Sequence, residues 1–159
     1  MGPASADEDF MMTTVLEVPL SVLYEQDETA WLEAMAALAS ARRYQEMDYL
    51  HLSEYLADMA RRDRREVFSR LVVLMAHRLK WEYQPESHSA SWRGTIREQR
   101  RELRQLLDSG TLRNHAESVL VETYTEARRQ AADETELGLD MFPVERMWSL
   151  DELLGESDA

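Results

Sequence analysis

The segment from Val67 to Leu79 sets the terms on which this chain can fold. Val67, Phe68, Leu71, Val72, Val73, Leu74, Met75, Ala76 and Leu79 fall within it, with no glycine or proline between them. At 3.6 residues per turn these side chains cannot share one narrow stripe. A helix that is apolar over so much of its circumference belongs at the centre of a bundle. No segment alternates polar and apolar residues convincingly with period two, so no sheet is expected. Short connections favour antiparallel neighbours. The fold class is therefore all-α: a helical bundle of about five main helices around a central apolar helix.

The other helices are placed by their start and stop signals. Asp27 is a good N-cap, and Trp31, Ala34, Met35 and Leu38 come after it at helical spacing, with an end expected near Ala41 to Tyr44. A second helix starts at Asp48 and buries Leu52, Tyr55, Leu56 and Met59. The run Arg61-Arg62-Asp63-Arg64-Arg65 then suggests a break, with Asp63 capping the central helix over 63–83. Pro85 stops that helix, because proline disfavours helical geometry in the residue before it. The fourth helix runs from Ser89 or Ser91 to Asp108 and turns Trp92, Ile96, Gln99, Leu103 and Leu106 inward, with Gly110 as its stop. A fifth spans 112–133 and buries Ala116, Val119, Leu120, Tyr124 and Ala127. Beyond Gly138 and Pro143, Ser149 caps a short turn carrying Leu150, Leu153 and Leu154. Residues 1–20 read as a flexible tail and 21–159 as a single all-helical domain, a normal size for 159 residues.

Several function classes drop out on composition. The chain has no cysteine, which excludes disulfides, thiolate metal ligands and cysteine nucleophiles. The first twenty residues carry Asp7, Glu8 and Asp9 in place of the basic start of a secretory signal. The longest apolar stretch, Leu71 to Ala76, is far short of a membrane span, so a cytoplasmic protein with no membrane contact is expected. The net charge of −13 is uneven. Between Arg61 and Arg104 twelve Lys or Arg stand against six Asp or Glu, and the remainder is strongly acidic. The basic middle is expected to pair with the acidic ends. Lys80 is the one lysine in the chain.

Two constellations carry candidate chemistry. On the central helix His77, Lys80, Trp81 and Gln84 fall at i, i+3, i+4 and i+7 on one face, with Arg70 on the same line two turns earlier. Polar groups on such a helix need partners, since an unpaired buried one costs several kcal/mol. The candidates are Glu54 on the preceding helix and Gln99 or Arg100 on the next one. The candidate polar site is thus Glu54, His77, Lys80, Gln84, Gln99 and Arg100. It is either a hydrogen-bond network that fixes helix register or a proton-transfer or anion pocket, with the Lys80 pKa lowered and His77 titrating near neutrality. One His and one Lys on a single helix are thin support for catalysis. The second constellation is Arg93, Arg97, Arg100 and Arg104, four in line on the fourth helix, which suits a phosphate backbone. Glu98 and Glu102 interrupt it, and no recognised nucleic-acid-binding pattern accompanies it. His51 and Glu54 have the His-x-x-Glu order only once, too few ligands for a carboxylate-bridged metal site. No metal or cofactor is expected, and no phosphate loop, nucleophile elbow or H-E-x-x-H pair occurs.

The segment Leu74-Met75-Ala76-His77-Arg78-Leu79-Lys80-Trp81 with Gln84-Pro85 carries a family likeness, as do Ser91-Trp92, Thr95-Ile96, Gln99 and Arg100. The ending Trp148-Ser149-Leu150 with Leu153-Leu154 completes it. On these residues the chain from Asp27 to Leu154 resembles a bacterial family known only as domain of unknown function twenty-nine. The resemblance implies an all-helical small protein and no particular reaction. The expected role is a non-enzymatic interaction or accessory protein, acting on an unidentified protein partner or as a homo-oligomer. Exposed apolar area on the first helix or the Trp148 to Leu154 segment would support that role. The alternatives are nucleic-acid binding through the arginine face and an enzyme using the Glu/His/Lys polar site.

Overall fold

The structure is a computed structural model that describes residues 18–146 and 148–156. Most of the expected 1–20 tail lies outside the described residues. Those described form seven α-helices and no strand. They are α1 (Leu20–Gln26), α2 (Glu28–Ser40), α3 (Tyr49–Tyr83), α4 (Ala90–Leu106), α5 (Gly110–Ser118), α6 (Leu120–Thr135) and α7 (Leu150–Leu154). The fold class is all-α, as the hydrophobic pattern implies. The chain groups into two compact units with their boundary at Asp58 and Met59, inside α3.

In the first unit, Asp27 caps α2 as expected, its Oδ1 accepting the Ala30 N–H at 3.0 Å. Trp31, Met35 and Leu38 are buried along one face. The helix ends through Arg42, a non-glycine residue at φ 57°, and Arg43 then donates its backbone N–H to Leu38 O at 2.9 Å. Asp48 joins α2 to the start of α3. Its Oδ2 accepts from Trp31 Nε1 at 3.2 Å and from His51 Nδ1 at 2.7 Å, while its own N–H points at Met35 Sδ. Tyr24 stacks on His51 at 4.4 Å and meets the edge of Trp31 at 4.8 Å. Tyr55 approaches Trp31 from α3 at 5.8 Å. Burial pushes the Asp48 carboxyl up, but the hydrogen bonds from His51 and Trp31 outweigh that and hold it below its ordinary value.

Three helix boundaries differ from those expected. The break at 61–65 is absent, and α3 runs unbroken for 35 residues. The run lacks glycine and proline, and arginine is a good helix former. A dense charge cluster costs a solvated helix face little, so nothing there stops the helix. Leu56, expected in the core, is 58% exposed. The helix expected over 112–133 is in fact two, joined at Val119, whose φ is −107° and ψ 6°. Ser118 Oγ donates to the His115 carbonyl at 2.7 Å, a local bond that competes with the helical ladder. Gly110 opens α5 instead of closing α4, because Ser109 supplies an N-cap to Leu112 N.

The core of the second unit gathers around α3, which contributes Val67, Leu71, Leu74, Met75, Ala76 and Leu79. Leu103 comes from α4, and Leu120, Tyr124, Ala127 and Ala131 from α6. The chain after α6 is pinned back over it. Tyr124 Oη donates to Pro143 O at 2.7 Å, and Arg128 donates to Leu139 O at 3.1 Å and Phe142 O at 3.0 Å. This brings Phe142, Trp148, Leu150, Leu153 and Leu154 into the same core.

The five-residue α7 is closed at both ends. Ser149 and Glu152 form a reciprocal capping box. Gly155 sits at φ +71°, and a Cβ there would stand 3.0 Å from Arg104 Nη2. We therefore expect Gly155→Ala to destabilise the chain by about 1–2 kcal/mol, the cost of a left-handed non-glycine residue. Urea denaturation followed by circular dichroism measures it. A loss below the experimental error would mean that α7 ends without needing this geometry.

Candidate functional site

Lys80 lies on the core side of α3, between Leu79 and Trp81. Its side chain is only 6% exposed, and its Nζ donates to Glu134 Oε2 on α6 at 2.5 Å. Gln130, one turn earlier on α6, donates to the other oxygen of Glu134 at 2.9 Å. The Lys80 ammonium also faces His77 Nε2 at 3.5 Å and stands 5.1 Å from the centre of the Trp92 ring on α4. A carboxylate, an imidazole lone pair and an aromatic face thus meet the three N–H groups of the ammonium.

The proton inventory of His77 comes from its neighbours. Nδ1 lies 2.9 Å from the Val73 carbonyl, which only accepts, so Nδ1 carries the proton and Nε2 is left to accept from Lys80. Burial holds His77 below its ordinary pKa. The Val73 carbonyl and Glu134 oppose this, and the Lys80 charge reinforces it. Burial pushes the Glu134 carboxyl up, but the hydrogen bonds from Lys80 and Gln130 outweigh that and hold it low.

The remaining members of the expected polar site divide. Gln84 Nε2 reaches the Thr135 carbonyl at 3.4 Å, so it joins Lys80 in tying the end of α3 to the end of α6. Gln99 Oε1 accepts from Arg70 Nη1 at 3.1 Å, a separate link between α3 and α4. Arg100 donates Nε to Leu153 O at 2.8 Å. Glu54 is not the expected partner from a separate helix. It lies on the same helix as His77, more than six turns earlier, and one helix cannot turn its own residues to face each other over that length. The carboxylate that meets Lys80 is Glu134, one residue beyond Asp133, where the sequence pattern had placed the end of that helix. The available signal was the Gln130/Glu134 pair at i, i+4.

The arginine face divides in the same way. Arg100 and Arg104 donate to the Leu153 and Leu154 carbonyls at the end of α7. Cations are favoured there by the orphan carbonyls and the helix dipole. Arg93 stands over the Trp81 ring at 5.9 Å, and Trp81 itself stacks on His88 at 3.6 Å.

The His77-to-Trp81 segment, Trp92, Gln99, Arg100 and the Trp148-to-Leu154 ending, which carried the family likeness, thus lie in one framework of the second unit. A family model described as "Domain of unknown function DUF29" matches residues 23–157. The chain belongs to this family. No curated protein and no solved structure matches it. The DUF29 description names no reaction. No helix among the described residues is long and apolar enough to cross a membrane.

Removing one partner of the Lys80–Glu134 pair tests its structural weight. Glu134→Ala should cost about 1–3 kcal/mol, less than a sealed pair would because water screens a carboxylate that is 40% exposed. Lys80→Met, which removes the charge and keeps the stem, should cost less than Glu134→Ala. The reverse order in urea melts would mean that the ammonium is not held by this carboxylate.

The two shifted groups also set a pH dependence. The folded-state pKa of His77 lies below 6.5, so the unfolded chain takes up that proton first. Stability is full above about pH 6.5 and falls as pH drops toward the folded value. The folded-state pKa of Glu134 lies below 4.5, so its contribution is present above 4.5 and is lost as pH falls through the folded value. Stability should therefore decline in two acid steps, and His77→Asn should remove the upper one. Denaturation midpoints between pH 7 and pH 2 measure this, and an unchanged upper step in the variant would refute it.

Proposed function

We propose that this chain is a non-enzymatic interaction protein, that the first turns of α3 in the first unit form its contact surface, and that a second copy of the chain is the partner this surface fits. One observation carries it. Tyr49, Leu50 and Leu56 are 55%, 78% and 58% exposed. At 100° per residue they lie with Ser53 and Ala57 inside an arc of about 120°. The other side of the same turns carries the half-buried Leu52 and Tyr55. This stretch of α3 therefore packs inward on one side and offers water three large apolar side chains on the other, with Ser53 among them.

Two further features support it. Charge along α3 runs from acidic (Glu54, Asp58) to predominantly basic (Arg61, Arg62, Arg64 and Arg65, with Asp63 and Glu66 among them). Two antiparallel copies would set each acidic stretch beside a basic one, and a two-fold pairing of this kind closes on itself. The first unit also contains an apolar groove of about 790 Å³, lined by Val18, Leu20, Ala34, Ala37, Leu38 and Ala41. The apolar residues of the Trp148 to Leu154 segment, by contrast, are buried and offer no such surface.

The alternatives draw less support. A catalytic Lys80 needs an accessible amine, whereas this one is buried and its donors are engaged. For nucleic acid, two of the four aligned arginines already hold carbonyls of α7, and the chain as a whole is acidic.

Light scattering after size exclusion tests the proposal. The wild-type chain should be a dimer at tens of micromolar. Leu50→Glu/Leu56→Glu, two changes at exposed positions, should dissociate at least about a hundredfold more easily, given roughly 1.5–3 kcal/mol for each buried leucine. A wild-type monomer at every accessible concentration, or a dimer that the double change leaves intact, would overturn it.

A further inference from the structure

The second unit holds a basic cavity on an otherwise acidic protein. A space of about 490 Å³ opens between the end of α3, α4 and the α7 region, with Trp81, Ile96 and Trp148 as apolar lining and Arg78, Arg93 and Arg100 as cations. A neighbouring space of about 280 Å³ shares Arg93, Ile96 and Arg100 and adds Arg97 and Arg104. Glu82 and Glu152 are the acidic lining residues. Five guanidiniums against two carboxylates make a local positive field in a chain whose net charge is −13.

The guanidiniums are not equivalent. Arg78 pairs with Glu82 at 3.3 Å and lies 4.9 Å from the Trp148 ring centre. Glu152 is committed to the Ser149 capping box. Arg100 and Arg104 hold the end of α7. The Arg93 guanidinium makes a cation–π contact with Trp81 and, among the described residues, no hydrogen bond or ion pair. Arg97 lines the adjoining space and likewise has no such partner among the described residues. The forked donors of Arg93 and Arg97 match the geometry of a phosphate. Trp81, Ile96 and Trp148 supply apolar lining beside these donors, with one face of Trp81 taken by His88 and Trp148 only 7% exposed.

We propose that this cavity binds a nucleoside phosphate, with the phosphate on Arg93 and Arg97 and the nucleoside against the apolar lining of Ile96 and Trp81. The volume falls within the range of about 300–1,000 Å³ usual for small-ligand pockets. It is a concavity rather than a track along the surface, and the acidic remainder of the chain repels a long polyanion. Both points favour a mononucleotide over a nucleic-acid strand. The site uses none of the residues invoked for self-association, so either proposal can fail without the other.

The full-length chain should be titrated with AMP, ADP and inorganic pyrophosphate, read by tryptophan fluorescence and calorimetry. ADP should quench the emission and bind with a micromolar dissociation constant, more tightly than pyrophosphate. Arg93→Ala, at an exposed position, should weaken ADP binding about tenfold or more, as losing a charge-assisted hydrogen bond does. Circular dichroism melts of the variant should match the wild type. Three results would each overturn the proposal: no nucleotide binding up to millimolar concentration, pyrophosphate binding as tightly as ADP, or ADP affinity unaffected by both Arg93→Ala and Arg97→Ala. Tighter binding of a single-stranded oligonucleotide, with a steeper salt dependence than ADP, would replace the mononucleotide by a nucleic acid.

Discussion

The second unit depends on the placement of one ammonium group. Lys80 occupies a buried position on the helix that supplies the largest share of the core, and an unpaired charge there would cost several kcal/mol. Glu134 on α6 has to arrive within hydrogen-bond distance, and the Trp92 ring on α4 has to cover the remaining side. His77 has to be neutral with its lone pair turned toward the lysine. Each requirement fixes the rotation and the axial position of a helix. Hydrophobic packing tolerates a slip along the helix axis far better than this arrangement does. The polar stripe thus selects one register among the packings that the apolar surface would accept.

A second dependence runs through the end of the chain. A helix of five residues has no stability of its own, because nucleation costs more than one turn of hydrogen bonds returns. Here α7 is held by a capping box at its start, a left-handed glycine at its end and two arginines on its last carbonyls. Leu150, Leu153 and Leu154 then enter the core. Arg113, outside the basic 61–104 segment, adds Asp151 at 2.7 Å and Glu156 at 2.9 Å, whereas Arg70, Arg78 and Arg101 pair with carboxylates of their own segment. In holding α7, α4 commits half of its arginine row and leaves Arg93 and Arg97 with unused donors. What reads in the sequence as one uniform face is in space a structural pair and an available pair.

Signals that act within a few residues were legible in the sequence. Asp27 and Ser149 cap helices at the positions expected, Ser89 is the N-cap of α4, and α3 ends two residues before Pro85. These depend on one side chain meeting a backbone group three residues away, and the residue type states that directly. The continuity of α3 through its arginine run was not legible, because charge density resembles a loop while helix propensity argues against one. Leu56 was assigned to the wrong face because its neighbours Leu52 and Tyr55 define a stripe whose edge the sequence does not mark. The partner of Lys80 was missed for a different reason. The sequence offers Glu54, Gln99 and Arg100 as partners, and reaching Glu134 instead requires the helix directions and the last turn of α6.

These placements bear on where activity should be sought. Of the residues that carry the family likeness, His77, Lys80, Gln99 and Arg100 make hydrogen bonds to one another, to the Val73 carbonyl, to Glu134, to Arg70 and to the end of α7. A general acid or base must reach a substrate and exchange a proton with it. Here the amine is enclosed, and the imidazole is held below its usual pKa with one nitrogen on its own helix backbone. Groups with unspent capacity lie outside that set: Arg93 and Arg97 on α4, and Tyr49, Leu50 and Leu56 on α3. Function in such a chain is better sought in side chains whose capacity the fold leaves unused than in those that define the family.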